Sequence, residues 1–256
     1  MSTDLRVTLG AGVLEVLFDR PQARNAMTYA MYDGLHEACV RADEDDQVRV
    51  LVLRGAGEAF VAGTDIAQFA AFSSGRDGVA YEERITRVVD RLEQVRVPSV
   101  AVVRGPCVGG GLALAAACDL RVAARSARFG VPVARTLGNC LSMNSVSLLV
   151  ARLGASRTLD LLLRAQLLTG EQAHAAGFVS ELTEDDRLDE VAAAVVEQLL
   201  AHAPLTMWAT KQAVARLRRA ALPDGDDLVV RAFGSDDFRE GVRAFVAKER
   251  PRWQGR

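Results

Sequence analysis

Two glycine-containing segments could bind an oxygen atom through their backbone amides. The segment VRGPCVGGG at 103–111 joins an apolar stretch to a short helical one, and AFVAGTDI at 59–66 places a glycine before a residue that can start a helix. The first N–H groups of a helix have no partner within it and lie at the positive end of its dipole. Two such groups directed at one carbonyl oxygen form an oxyanion hole, in which each donor stabilises a transition state by about 2.7–4 kcal/mol.

The residues around the glycine triplet exclude other common glycine-rich sites. A phosphate-binding P-loop requires Lys and then Ser or Thr after its last glycine, whereas Gly110 is followed by Gly111 and Leu112. A dinucleotide fingerprint requires a third glycine where Leu114 stands. No serine lies in the G-x-S-x-G setting of a nucleophile elbow. A nucleotide-phosphate enzyme is therefore disfavoured.

The elements that would position these segments alternate between strands and helices. LRVTL (5–9) and VLEVLF (13–18) predict a hairpin around a Gly-Ala-Gly turn. The elements predicted next are a helix that Thr28 can cap (31–45), a strand (48–55), a helix from Thr64 or Asp65, a helix at about 79–95, a strand (99–105), a helix (112–117) and a strand (119–124). This repetition predicts a parallel or spiral α/β fold.

The pattern becomes mostly helical from about residue 141. The predicted elements are the helices LSMNSVSLLVARL, ASRTLDLLLRA and EQAHAAG, a short FVSEL strand, and helices at 187–202, 204–221 and 226–249. We therefore predict an α/β core at 1–200 and a helical C-terminal segment at 201–256 that mediates trimerisation.

Composition excludes several classes of partner. The 256 residues carry a net charge of −2 and half of them are apolar, which does not favour a nucleic acid or a membrane surface. The four cysteines lack CxxC spacing and the three histidines are far apart, so no metal site is predicted. The N-terminal segment lacks the features of a signal peptide, and no uncharged apolar run approaches the roughly 20 residues of a membrane span. We expect a soluble, cytoplasmic protein.

Six stretches occur with an order and spacing typical of one enzyme family. They are RPQARNAMT (20–28), LVLRGAGEAFVAGTDI (51–66), VPSVAVVRGPCVGGGLALAAACDLRVA (97–123), FGVP (129–132), LLTGEQAHAAGFVSEL (167–182) and SDDFREGVRAFVAKERPRW (235–253). The sequence thus resembles the crotonase, or enoyl-CoA hydratase/isomerase, family over essentially its full length. The resemblance implies a crotonase-like ββα spiral core, a homo-oligomer (a trimer or a dimer of trimers), and enolate chemistry on an acyl-CoA thioester. Coenzyme A is then part of the substrate, and no separate cofactor is implied.

The resemblance also assigns site residues. It implies a thioester carbonyl between the amides of Thr64 and Gly110, and it implies that Lys248 reaches the CoA phosphates on a neighbouring subunit. The residues that it places along the CoA path are Arg24, Ala26, Ala62, Asp65 and Ile66.

Two glutamates on which hydratases of this family depend are absent. One carboxyl group must activate water while the other gives a proton to the α-carbon. Here Ala113 stands three residues after the middle glycine, and Val133 follows the proline of FGVP, or Ala134 if the gap is placed differently. None of these side chains can transfer a proton, so ordinary hydration is not predicted.

The polar segment at 133–145 offers substitutes that could contact the substrate. They are Arg135, Asn139, Ser142 and Asn144. Family members that act on aromatic CoA thioesters place a carboxylate nucleophile near position 142, which makes Ser142 a candidate. No nearby histidine or lysine in the sequence could activate this serine, and capping of the following helix is the favoured role.

Three functional interpretations remain open. The first is an acyl-CoA lyase or isomerase of this family whose proton-transfer group is unidentified. The second is a decarboxylase variant, because loss of CO₂ generates the enolate without a protein base. The third is a non-catalytic acyl-CoA binder that retains the fold. As local roles, Asp65 is expected to complement a helix dipole and Cys140 to be a small buried apolar residue.

Overall fold

The fold consists of successive turns of chain that add strands to two sheets. The computed structural model describes residues 4–220 and 222–256. The strands are β1 (Leu5–Gly10), β2 (Val13–Phe18), β3 (Val50–Gly55), β4 (Val61–Ala62), β5 (Ser99–Val103), β6 (Pro106–Val108), β7 (Leu120–Ala124), β8 (Arg128–Gly130), β9 (Leu168–Thr169) and β10 (Glu181–Thr183).

The helices fill the connections and the C-terminal part of the chain. They are α1 (Tyr29–Glu44), α2 (Gly75–Gln94), α3 (Gly110–Ala117), α4 (Val133–Thr136), α5 (Met143–Leu153), α6 (Ala155–Leu163), α7 (Gly170–Ala175), α8 (Leu188–Ala201), α9 (Pro204–Arg219), α10 (Asp226–Phe233) and α11 (Asp236–Ala247). Short 3₁₀ helices occur at Pro21–Ala23, Ile66–Phe69 and Asp185–Arg187.

The turns that begin at β3, β5 and β7 each give one strand to each sheet and then a helix, whereas the first turn gives the β1–β2 hairpin to the larger sheet. The larger sheet has the order β1-β2-β3-β5-β7-β10 and is parallel except for the β1–β2 hairpin. The smaller sheet has the order β4-β6-β8-β9, of which β4, β6 and β8 are parallel. This arrangement is the predicted ββα spiral, and it is confirmed.

The two faces of the larger sheet are buried by different helices. One face packs on α1, α2 and α3 through a core that includes Leu51, Leu53 and Ala101. The other face packs on α8 through Leu188 and Ala192. Burial on both faces explains why β3 and β5 are almost continuously apolar.

Most predicted elements are confirmed with small shifts of their ends. The hairpin is present, and the Thr28 side chain caps α1 by accepting a hydrogen bond from the Met31 amide. The predicted helix from Thr64 or Asp65 is only the 3₁₀ helix Ile66–Phe69. The predicted FVSEL strand is wrong in its first part, because the strand there is Glu181–Thr183.

The single helix predicted at 226–249 is wrong. Two helices occur instead, α10 and α11, because the chain turns at Gly234 and Ser235 begins a new helix. The Ser235 hydroxyl accepts a hydrogen bond from the Phe238 amide at 2.9 Å.

Some predictions fall outside the described residues. These are the end of the predicted 204–221 helix, at Ala221, and residues 1–3 of the proposed core. In the described ranges no helix is both long and apolar enough to cross a membrane. The division at residue 200 stays a prediction.

Candidate active site

The smaller sheet aligns the two glycine-containing segments. In the parallel pair β4–β6, Ala62 lies opposite Val108, so Thr64 and Gly110 each lie two residues beyond the paired strands. Neither the Thr64 nor the Gly110 amide donates a hydrogen bond to another residue in 4–220 or 222–256. Both residues line one cavity of about 610 Å³. Two unpaired N–H donors at one cavity can polarise a carbonyl group.

The glycines around the donors are required by backbone conformation and by space. Gly63 and Gly109 precede the donors with φ of +93° and +57°, a region that other residues rarely adopt. A Cβ atom on Gly110 would lie 2.3 Å from the Tyr32 hydroxyl, and one on Gly111 would lie 2.2 Å from the Val61 carbonyl oxygen. The triplet therefore lets α3 pack directly against β4 and α1.

A chain of three hydroxyl groups fixes the Thr64 segment from behind. The Thr64 Oγ1 atom lies 2.9 Å from the Tyr32 hydroxyl and 2.7 Å from the Tyr81 hydroxyl. Burial raises the pKa of both phenols, so they remain neutral and can share hydrogen bonds with the Thr64 hydroxyl. The Tyr81 ring packs edge-on against Phe69 at 4.9 Å between ring centroids. These contacts join α1, α2 and the 3₁₀ helix behind the first donor.

Asn25 fixes the loop that leads to Thr64. This buried residue has a left-handed backbone, and its Nδ2 group donates to the carbonyl oxygens of Ala56 and Ala59 at 2.9 and 2.7 Å. Its Oδ1 atom accepts a hydrogen bond from the Arg20 amide at 2.9 Å. Asparagine tolerates this backbone region better than most residues do. Asn25 is thus a positioning residue for the loop.

Arg121 stabilises the opposite end of α3. Its guanidinium group is buried and donates hydrogen bonds to the carbonyl oxygens of Ala115 and Cys118 at 3.0 and 2.7 Å. It also lies over the Phe178 ring at 4.8 Å. A cation at a helix C-terminus complements the helix dipole. Arg121 therefore helps to hold the helix that begins at Gly110.

The cavity is mainly apolar, with cationic groups along part of its lining. Its apolar side chains include Ile66, Phe69, Val131, Val133, Leu137, Leu141, Phe245 and Val246. The three cations are Arg20, Arg24 and Lys248. Arg20 forms an ion pair with Asp65 at 2.8 Å. An apolar cavity with a few charged groups suits a ligand that has an acyl part and an anionic part.

All five residues proposed for the CoA path lie at this cavity. The lining includes Arg24, Ala26, Ala62, Asp65 and Ile66. Asp65 also has the expected local role, since its carboxylate accepts a hydrogen bond from the Ala67 amide at the start of the 3₁₀ helix.

Lys248 lines the cavity of its own chain at the C-terminal end of α11. That it reaches the CoA phosphates on a neighbouring subunit, as the resemblance implies, stays a prediction. The packing of α11 sets its position, since Phe238 is buried beside Phe69 at 6.0 Å between ring centroids. Gly241 also lies close to the Leu137 carbonyl, because an added Cβ atom would be 2.3 Å from that oxygen. The helix end is therefore folded back over the site.

Ser142 and Arg135 do not line the cavity. Ser142 is the N-cap of α5, and its hydroxyl accepts a hydrogen bond from the Ser145 amide at 3.4 Å, which confirms the favoured capping role. Arg135 is exposed because Val133 and Thr136, on the other side of the short helix α4, face the cavity. Neither side chain is therefore part of the lining shared by Thr64 and Gly110, and their contact with a substrate stays a prediction.

The other polar candidates divide between the cavity and the interior. Asn139 lines the cavity, and its buried Oδ1 atom has no hydrogen-bond partner within the described ranges. Asn144 is buried elsewhere and accepts a hydrogen bond from Arg218 at 3.0 Å. Burial raises the pKa of the Cys140 thiol to about 12, which makes it a poor nucleophile at neutral pH.

Glu82 is a cavity residue that the sequence did not reveal. It lies on α2 and is only 5% exposed, yet it belongs to the lining shared by Thr64 and Gly110. Its Oε2 atom accepts a hydrogen bond from the Ser142 amide at 2.9 Å. Burial raises the pKa of this carboxyl group to about 7, although the Ser142 amide and hydroxyl lower it. The only sequence signal was an acidic residue on the apolar face of an amphipathic helix.

Comparison with known proteins decides the family. The sequence profile described as enoyl-CoA hydratase/isomerase matches residues 8–256. The chain belongs to the enoyl-CoA hydratase/isomerase family. Among its relatives in this family is 2,3-dehydroadipyl-CoA hydratase of Escherichia coli, which is 31% identical over 99% of this chain and 100% of that protein.

Two further family members show the range of names within this group. The 1,2-epoxyphenylacetyl-CoA isomerase of Escherichia coli is 31% identical over 96% of each chain. The crystal structure of an enoyl-CoA hydratase from Mycobacterium avium subsp. paratuberculosis K-10 superposes with a TM-score of 0.84 at 28% identity, covering 98% of this chain and 99% of that one. The family thus contains proteins that are named for different reactions, two as hydratases and one as an isomerase.

Proposed function

We propose that this family member binds an acyl-CoA thioester and stabilises its enolate between the amides of Thr64 and Gly110. The observation that carries the proposal is the pair of unpaired N–H groups at one largely apolar cavity. The acyl chain would occupy the apolar part, while Arg24 and Lys248 would bind the anionic phosphates of CoA. The two Escherichia coli relatives support this substrate class, because both are named for CoA esters.

The reaction is proposed to be an isomerisation or another enolate reaction rather than ordinary hydration. Ala113 is buried within α3 and Val133 lines the cavity, so the two positions at which family hydratases carry glutamates hold apolar side chains. A non-catalytic acyl-CoA binder is the second candidate, and the same two positions favour it. Turnover of an acyl-CoA ester would support the enzyme, whereas binding without turnover would support the non-catalytic binder.

The proposed thioester site is tested with butyryl-CoA and phenylacetyl-CoA that carry ¹³C at the thioester carbonyl. Isotope-edited infrared spectra should show a lower carbonyl frequency for the bound ester, because two N–H donors polarise the bond. In calorimetry, a thioether analogue of butyryl-CoA without the carbonyl should bind more weakly. Failure of both thioesters to bind, or an unshifted carbonyl, would contradict the proposal.

Lys248→Ala is expected to raise the Kd of both thioesters about 5- to 20-fold, because a charged contact to phosphate is lost. The carbonyl frequency of the bound ester should not change, since the amide donors are untouched. Arg231→Ala, which removes an exposed cation outside the cavity lining, is the control and should bind normally. Equal affinities for the Lys248→Ala variant and the unmodified protein would show that Lys248 does not hold the CoA.

We also propose that the chain forms a homo-oligomer through its C-terminal segment. Large apolar side chains of α9 are exposed in the single chain, and Leu205 and Leu217 are each 79% exposed. Such side chains are commonly covered in an assembly. Sedimentation velocity should give the mass of a trimer or of a dimer of trimers, and a monomer at micromolar concentration would contradict this assembly.

A further inference from the structure

Glu82 differs from the other buried glutamate on the same helix. Glu93 is equally buried but is paired with Arg218 and Arg219. Glu82 forms no ion pair with any residue in the described part of the chain, and its hydrogen-bonding partner is the neutral Ser142, whose amide donates at 2.9 Å. An unpaired buried carboxyl group is costly for a fold, and such groups cluster at functional sites.

Neighbouring contacts fix Glu82 at the cavity. The preceding residue, Tyr81, contacts the Thr64 hydroxyl at 2.7 Å, which attaches this turn of α2 to the segment of the first donor. On the other side, Ser142 is held to the next turn of α2 by a 3.2 Å contact with the Thr86 hydroxyl. The carboxyl group is therefore fixed between the donor segment and the start of α5.

We propose that Glu82 is the catalytic residue that takes up and returns the proton at the carbon next to the thioester carbonyl. This inference depends on the thioester site proposed above. In the forward step the α-carbon C–H bond breaks and its electron pair moves into the enolate, whose oxygen lies on the Thr64 and Gly110 amides. The proton forms an O–H bond on the Glu82 carboxylate, and the reverse step returns it to the α-carbon or to the γ-carbon of an unsaturated chain.

The electrostatic surroundings suit this role. Burial raises the pKa of the phenols of Tyr32 and Tyr81 and of the Cys140 thiol, and these are the groups among the described residues whose pKa the charge of Glu82 raises further. They are neutral at pH 7, so the carboxyl group is the one that changes charge near neutrality. A general base is most effective when its pKa lies near the working pH. Glu82 would thus replace the missing carboxyl groups from a different element of the fold.

The decisive experiment compares Glu82→Gln with the unmodified protein in deuterated water. Butyryl-CoA is the probe because it has α-protons but cannot be hydrated or isomerised. The variant is expected to exchange α-protons at least 100-fold more slowly, since general acid–base groups contribute about 10²- to 10⁴-fold. Its Kd and the carbonyl frequency of bound butyryl-CoA should change little, because the glutamine oxygen can still accept from the Ser142 amide. Glu83→Gln, an exposed neighbour on α2, is the matched control.

Two further measurements identify the group. The rate of α-proton exchange should rise with pH through an apparent pKa near 7. This increase with pH should be absent in Glu82→Gln. The folded-state pKa is raised, so the carboxyl group contributes stability below its unfolded pKa of 4.5 and loses it as pH rises through about 7. Glu82→Gln should therefore raise the Tm at pH 8 more than at pH 5.

The outcomes separate the two proposals. Binding with a shifted carbonyl but no α-proton exchange by the unmodified protein would overturn the role of Glu82 and leave the thioester site intact. Exchange by Glu82→Gln within threefold of the unmodified protein would overturn it as well. Absence of binding by both thioesters would overturn the thioester site and the role of Glu82 together.

Discussion

Gly110→Ala is expected to slow turnover of the acyl-CoA substrate about 100-fold or more. The new Cβ atom would lie 2.3 Å from the Tyr32 hydroxyl, so either the Gly110 amide or Tyr32 must move. Loss of one oxyanion donor lowers kcat by about 10²- to 10³-fold. In this variant, the turnover rate measured in a stopped assay and the infrared shift of the bound thioester carbonyl should both become smaller.

A second substitution tests whether the steric clash with the Tyr32 hydroxyl causes the loss of turnover. Tyr32→Phe removes the hydroxyl group, after which the Tyr32 Cζ position would be the nearest ring atom at 3.6 Å, an ordinary contact distance. The double variant Gly110→Ala with Tyr32→Phe should regain most of the turnover of Tyr32→Phe alone. Gly10→Ala, at a glycine with open space around it, is the control for the added methyl group. Full activity of Gly110→Ala would contradict a catalytic role for the Gly110 amide.

Arg218→Met is expected to lower the free energy of unfolding by up to about 3–5 kcal/mol, because the buried Glu93 carboxylate loses its buried partner and keeps only the partly exposed Arg219. Arg218 and Glu93 are each 5% exposed, and the Arg218 Nε atom donates to the Glu93 carboxylate at 2.7 Å. Arg219 also donates to this carboxylate at 3.1 Å, so α9 is held to α2 by two guanidinium groups. Urea unfolding at pH 7 measures the loss.

The pH dependence of this loss has a defined sign. Burial would raise the pKa of Glu93, but Arg218 and then Arg219 outweigh burial and hold it below the usual 4.5. The pair therefore stabilises the fold above the unfolded pKa and loses this contribution as pH falls. The difference in the free energy of unfolding between Arg218→Met and the unmodified protein should therefore be smaller at pH 4 than at pH 7. The double variant Glu93→Met with Arg218→Met should recover stability, whereas no recovery would show that packing rather than charge dominates.

The two segments that carry the proposed donors could be predicted from the sequence because their signal is local, and the family resemblance named Thr64 and Gly110 within them. A strand, a glycine with positive φ and a helix start follow one another within a few residues at both Gly63–Thr64 and Gly109–Gly110. Hydrophobic periodicity and caps likewise placed the hairpin and α1. The register of β4 against β6 then made these two local patterns adjacent.

Glu82 could not be predicted because its significance depends on distant parts of the chain. Glu82 and Glu93 occupy the same helix and have the same burial, and only tertiary contacts make one an unpaired acid and the other a paired one. The break between α10 and α11 was missed for a related reason, since the packing of Phe238 and Gly241 decides where α11 lies.

The two donors at the cavity are main-chain atoms held by the paired strands β4 and β6. Side chains around the cavity can therefore be exchanged during evolution without displacing the groups proposed to hold the thioester oxygen. Members of the family can retain the same main-chain site for the thioester carbonyl, while point substitutions at positions such as Val133 change the reaction that follows binding. In this chain, divergence of chemistry requires no redesign of the fold.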